Sequence, residues 1–152
     1  MAFVHRTSVQ AAIRLAGVVP KPGVYRFPEG TTIADVITMT LPVSLSEQDG
    51  ECLCFREIAA GDIVTVSPGE NQHAEISLSI MNAQEKMLLG IPLNPDLMDS
   101  ADWEALPGVG PELAKAIVDD RHKNGEFGTI DHLLRVPGIG EKRVEALRRY
   151  FL

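Results

Sequence analysis

The chain has 152 residues, 45% of them hydrophobic and 23% charged, with a formal net charge of −7. That apolar fraction suffices to bury a core in one ordinary domain or two small ones, which excludes a disordered tract, and the excess of carboxylates excludes a protein coated in basic surface. No apolar run approaches the roughly 18 residues that span a bilayer, and Met1 to Ser8 shows none of the features of a secretory signal.

A chain complete as given is expected in the cytoplasm; one that has lost an export or anchor segment would work outside it. Thr7 to Val19 contains several β-branched residues and stops at Pro20-Lys21-Pro22-Gly23, after which Val24-Tyr25-Arg26-Phe27 resumes a strand pattern. The spacing predicts a hairpin. Pro28-Glu29-Gly30 closes it, and Thr32 followed by Asp35 reads as a capping box opening a short helix that ends near Thr40, with Ile33, Val36 and Ile37 inward. Glu51 to Glu57 and Asp62 to Val66 are predicted as two further strands joined through Ala59-Ala60-Gly61. Ile76, Leu78 and Ile80 alternate with Ser77 and Ser79, the pattern of a half-buried strand. Several strands around one short helix suggest a β-grasp over residues 1–81. Cys52 and Cys54, two apart on a predicted strand, have a spacing that suits neither a local disulfide nor a zinc site, so ordinary thiols are expected. His5, His73, His122 and His132 lack metal-ligand spacing.

The stretch GVVPKPGVYRFPEGTTIADVI, Gly17 to Ile37, together with GDIVTV, Gly61 to Val66, resembles the soluble-ligand-binding β-grasp (SLBB) domain of exported polysaccharide and competence proteins. The resemblance covers about residues 7–80. No convergent polar cluster is visible in this half, so a scaffold role is expected of it, with protein partners as its contacts.

Asn82 with Glu85 predicts a capped helix through Leu89, and Gly90-Ile91-Pro92-Leu93-Asn94-Pro95 forbids regular structure. Residues 82–95 are therefore read as a short helix and linker, and residues 96–152 as an all-α domain, which makes the fold class α+β. Asp99, with Asp102 three positions on, predicts a helix from Ser100 to Leu106. Pro107-Gly108-Val109-Gly110 interrupts it, and a second helix starts at Pro111, where the missing amide is harmless, with Leu113, Ala114, Ile117 and Val118 as its apolar stripe. After Gly125-Glu126-Phe127-Gly128, Thr129 is expected to cap a third short helix containing Ile130, Leu133 and Leu134. Pro137-Gly138-Ile139-Gly140 then precedes a fourth helix from Glu141, with Val144, Leu147 and Phe151 on one face.

The two turns lie thirty residues apart. LPGVGPELAKAI, from Leu106, and VPGIGEKRVEAL, from Val136, resemble the two halves of a tandem helix-hairpin-helix domain, a match that covers about residues 93–152. A tight turn between packed helices needs positions without a Cβ, and the aliphatic residue between the glycines, Val109 or Ile139, plugs the core. Backbone amides then face outward at the start of the next helix, whose dipole favours an anion. A DNA phosphate is the expected anion, and two turns related by a pseudo-twofold could hold both strands across a minor groove, reading shape rather than base sequence.

A β-grasp followed by tandem hairpins resembles the bacterial competence DNA-receptor family, whose members bind double-stranded DNA outside the cytoplasm during uptake. The resemblance implies phosphate contacts from the turn amides of Gly108, Val109 and Gly110 and of Gly138, Ile139 and Gly140, supported by Lys115, Lys142 and Arg143. The second hairpin is expected to bind more strongly, because Lys142 and Arg143 follow its turn directly while Pro111 and Glu112 follow the first. Arg121, Lys123 and Arg135 are candidates for further contacts or for a solvated helix face. Residues 99–152 carry 8 Lys or Arg against 10 Asp or Glu, so polyanion binding must come from local geometry. Two other classes stay open: a protein-interaction adaptor in which the hairpins are structural joints, and a DNA-processing enzyme. For the enzyme, no metal-spaced acidic cluster or Cys–His nucleophile pair is visible; no catalytic residue, metal or cofactor is expected.

Overall fold

The computed structural model describes residues 9–41, 53–69 and 74–151. The chain divides into two compact units, the first ending at Met81 and the second beginning at Asn82.

The first unit is built on a four-stranded mixed sheet of β1 (Gln10–Gly17), β2 (Gly23–Pro28), β3 (Asp62–Pro68) and β4 (Ala74–Ile80), in the order β2-β1-β3-β4. β1 runs parallel to β3 in the centre and antiparallel pairs flank it. A parallel pair needs a crossover, and α1 (Ile33–Thr40) lies in that connection. Its start is capped reciprocally: the Asp35 amide donates to the Thr32 hydroxyl oxygen at 3.2 Å, and the Thr32 amide donates to the Asp35 carboxylate at 2.9 Å. Those donors pull the Asp35 carboxyl below its ordinary value of 3.8, the Thr32 amide first and the hydroxyl second. Ile33, Val36 and Ile37 of α1 pack with Ile13, Leu15, Val64 and Val66 of the central strands in one core. A helix across a mixed sheet with a parallel central pair is the β-grasp arrangement that the alternation implied.

Two expectations for this unit are corrected. The stretch predicted as a strand from Glu51 to Glu57 holds a 3-10 turn at Leu53–Phe55, and its only ladder contact among the described residues is an isolated bridge between Glu57 and Thr32. The backbone turns there because Arg56 and Ile58 bond to the start of α1: the Ile33 amide donates to the Arg56 carbonyl and the Ile58 amide to the Thr31 carbonyl. Cys54 is buried and disulfide-bonded rather than a free thiol. The free-thiol expectation presumed an extended strand, and the coiled backbone around Cys54 removes that premise. Thr7, Glu51, Cys52, His5 and His73 lie outside the described residues.

The second unit opens with α2 (Ala83–Leu89), capped by the expected Asn82–Glu85 box. α3 (Ser100–Glu104) follows an Asp99–Asp102 capping box, and the other oxygen of Asp102 accepts from the Ala83 amide at 2.8 Å, tying α2 to α3. α3 stops two residues short of the predicted Leu106, because the chain tightens into the turn where the Leu106 amide donates to the Trp103 carbonyl. α4 (Pro111–Asn124) and α5 (Glu141–Arg148) are the helices that follow the two turns. The segment between them, Ile130–Arg135, is a 3-10 helix, and the Thr129 side chain makes no capping bond. Asp96 does the anchoring there instead: its carboxylate accepts from the Phe127 amide at 2.6 Å and the Gly128 amide at 2.9 Å.

The internal repeat is visible in the core. Trp103 and Leu133, Leu106 and Val136, Val109 and Ile139, Ala114 and Val144, Ile117 and Leu147 are pairs thirty residues apart, and all ten residues are buried in one cluster. Each hairpin supplies the same inward positions to that one cluster.

Candidate nucleic-acid interface

Both turns adopt one backbone course. Gly108 and Gly138 take φ of 80° and 92°, a region that an L-residue enters only at a cost. Gly110 and Gly140, two residues on, are the N-caps of α4 and α5 with extended angles of −89°, 175° and −109°, 173°. Between them, Val109 and Ile139 are buried plugs, and their amides are used within the turn: the Val109 amide donates to the Leu106 carbonyl at 3.2 Å, the Ile139 amide to the Val136 carbonyl at 3.1 Å. Of the six turn amides expected to face a phosphate, those two therefore close the turn instead. The outward amides at each helix start are those of the capping glycine and the first turn of the helix, where no intrahelical acceptor exists. Pro111 removes one such donor from the first hairpin, whereas Glu141 and Lys142 supply theirs in the second.

The surface cations divide into used and available. Arg135 donates to the Asp120 carboxylate at 2.6 Å and to the carbonyl of Gly125, and its guanidinium lies 4.4 Å from the centre of the Phe127 ring. Arg121 donates to the Pro95 carbonyl at 2.9 Å. Arg148 is forked onto Asp131 at 2.7 and 3.3 Å and bonded to Glu145 at 3.1 Å, and these carboxylates, Asp131 first, raise its proton affinity above the ordinary guanidinium value. Arg121, Arg135 and Arg148 therefore already have partners within their own unit. Among the described residues, Lys115, Lys123 and Lys142 are exposed and have no hydrogen-bond or ion-pair partner. Lys142 sits in the first turn of α5, and Lys115 one turn into α4. Arg143 is exposed, with Nη1 donating to the Gly138 carbonyl at 3.0 Å. The carboxylates of Glu112 and Glu141 are exposed at the same helix starts. Spacing along the sequence could not separate the occupied arginines from the unpaired lysines, since each arginine has a partner 15 or more residues away: Pro95 for Arg121, Asp120 for Arg135 and Asp131 for Arg148.

No helix among the described residues is long and apolar enough to cross a membrane. Residues 99–152 match the family model of the helix-hairpin-helix motif. ComE operon protein 1 of Bacillus subtilis (strain 168) is 26% identical over 136 residues, which cover 90% of this chain and 66% of that protein. With twin turns of matching geometry in a shared core, residues 99–152 are a tandem helix-hairpin-helix domain, and a mixed-sheet unit precedes it in the chain.

Proposed function

We propose that the chain is a non-enzymatic DNA-binding protein whose hairpin unit holds double-stranded DNA by its phosphates, without regard to base sequence, in bacterial DNA uptake. The observation that carries this reading is the second glycine of each turn. Gly110 and Gly140 have backbone angles open to any residue, and a Cβ built on either would meet nothing within 4 Å. The fold does not call for glycine at these positions. An approaching ligand does, because a side chain there would stand between the helix-start amides and whatever they bind. Two such bare helix starts in one rigid unit, with Lys115 and Lys142 unpaired beside them, suit a polyanion whose charges repeat along a backbone, and amides and ammonium groups bind phosphate diesters without cleaving them.

Fluorescence anisotropy with a random-sequence duplex across a salt series tests this. With about four phosphates engaged, log K should fall against log salt with a slope of roughly −3.6. The double variant Lys142→Glu, Arg143→Glu should abolish binding. No binding by the parent chain at low salt would sink the reading and leave the hairpins as joints in a protein-interaction scaffold.

A further inference from the structure

Positions 113 and 143 are equivalent in the thirty-residue repeat, each three residues past the last glycine of its turn. In a symmetric domain they would serve their own hairpins alike. Instead, both converge on a single glycine. Leu113, half-buried on α4, lies so that a methyl placed on Gly138 would be 3.7 Å from its Cδ1. Arg143 reaches back from α5 and donates to the Gly138 carbonyl.

That carbonyl shares a planar peptide unit with the Ile139 amide, which donates to the Val136 carbonyl. The Gly138–Ile139 peptide is thus held at its C=O end by Arg143 and at its N–H end by Val136, while Leu113 borders the space beside Gly138 where a Cβ would stand. Among the described residues, the matching Gly108–Val109 peptide is held only at its N–H end, by the Leu106 carbonyl. Leu113, in the position of Arg143, has no donor for the Gly108 carbonyl, and nothing stands within 4 Å of where a Gly108 Cβ would be.

We propose that Leu113 and Arg143 are positioning residues that preorganise the second turn as the principal phosphate clamp, and that Arg143 acts through the Gly138 carbonyl rather than on a phosphate. This rests on the phosphate-binding reading. Glycine at positive φ is the most mobile point of the turn, and ordering it during binding would subtract from affinity. Bracing before binding removes that cost at the second hairpin and leaves it at the first. The two hairpins are then unequal within the repeat, one residue at equivalent positions having become an apolar neighbour of the second turn and the other its tether.

The test pairs amide hydrogen exchange of the DNA-free chain with duplex binding across a salt series, in Arg143→Met and in Leu113→Ala. Losing one net hydrogen bond corresponds to about a three- to tenfold effect. Exchange at the Ile139 amide should accelerate by about that factor in Arg143→Met, with no matching change at Val109, and affinity should fall by a similar factor while the salt slope holds. Leu113→Ala should show the same local signature. A slope that weakens by about 0.9 with unchanged exchange would make Arg143 a direct phosphate contact and overturn the assignment. Exchange rising evenly along α4 and α5 in Leu113→Ala would show lost packing in place of positioning and overturn it for Leu113. If the parent chain binds no DNA, the phosphate reading fails alone, and the exchange measurement still decides whether these residues brace the turn.

Discussion

Alanine at Gly140 and alanine at Gly138 are chemically identical changes two residues apart, and the structure predicts opposite consequences. Gly138 has a φ of 92°. A Cβ there finds only ordinary contact with Leu113 at 3.7 Å, so the cost is conformational, about 1–2 kcal/mol. In a unit of this size that lowers the melting temperature by about 4–8 °C per kcal/mol. Gly140 has extended angles and open space, so the fold loses only the small N-cap preference of glycine over alanine, on the order of 0.5 kcal/mol. The new methyl nevertheless stands at the start of α5 beside the amides that would meet a phosphate. Losing one hydrogen bond to a charged group costs about 1.5–3 kcal/mol, roughly a 10- to 150-fold fall in duplex affinity. The chain has a single tryptophan, Trp103, buried in the hairpin core and stacked on Phe151 at 5.7 Å, so its fluorescence follows the unfolding of that unit directly. Gly140→Ala should melt close to the parent and bind poorly. If it melts as low as Gly138→Ala, the fold itself requires that glycine. If it binds DNA as the parent does, the phosphate does not approach this turn, and the argument from bare helix starts is wrong.

Asp96→Ala removes the acceptor that holds the Phe127 and Gly128 amides between the two hairpins, and should lower the stability of the second unit by about 2 kcal/mol by Trp103 fluorescence in denaturant. A loss under about 0.5 kcal/mol would mean that the inter-hairpin loop is held by Arg135 and its partners instead. In the first unit, the lowered Asp35 carboxyl makes a signed statement about pH. A carboxyl whose folded value lies below its unfolded one stabilises above the unfolded value, and that contribution disappears as pH falls through the folded one. Acid titration should therefore weaken the α1 cap below about pH 4, starting at the unfolded aspartate value. Thr32→Val keeps the larger cause, the Thr32 amide, and removes the hydroxyl, so an NMR titration should find the Asp35 carboxyl moved upward yet still below its ordinary value. No movement would mean that the hydroxyl contributes nothing.

Much of the fold was legible because short-range chemistry dictates it. Three reciprocal capping boxes, at Thr32, Asn82 and Asp99, begin α1, α2 and α3 where the sequence places them, since each needs only two side chains three residues apart. The alternation of Ile76, Leu78 and Ile80 marks β4, and the twin Pro-Gly-aliphatic-Gly turns mark both hairpins. The errors fall where local signals yield to distant partners. The stretch after Leu53 has a strand's composition but curls, because the backbone on either side of Glu57 is bonded to the start of α1 more than twenty residues earlier in the chain. Thr129 resembles a cap, yet its side chain makes no capping bond, and the chain just before it is held through the Phe127 and Gly128 amides by Asp96, more than thirty residues upstream.

The amino-acid order by itself determined that this chain carries a duplicated hairpin, where each helix of it starts, and which aliphatic residues plug it, because the repeat, the caps and the apolar periods are all local patterns. Only the tertiary structure decided which glycines the fold requires and which it leaves bare, and which cations are spent on carboxylates and carbonyls. It alone brought Leu113 and Arg143, twins in the repeat, to the same turn. Those questions turn on φ angles, open space and partners far off in the chain, and no spacing of residues along a sequence records them.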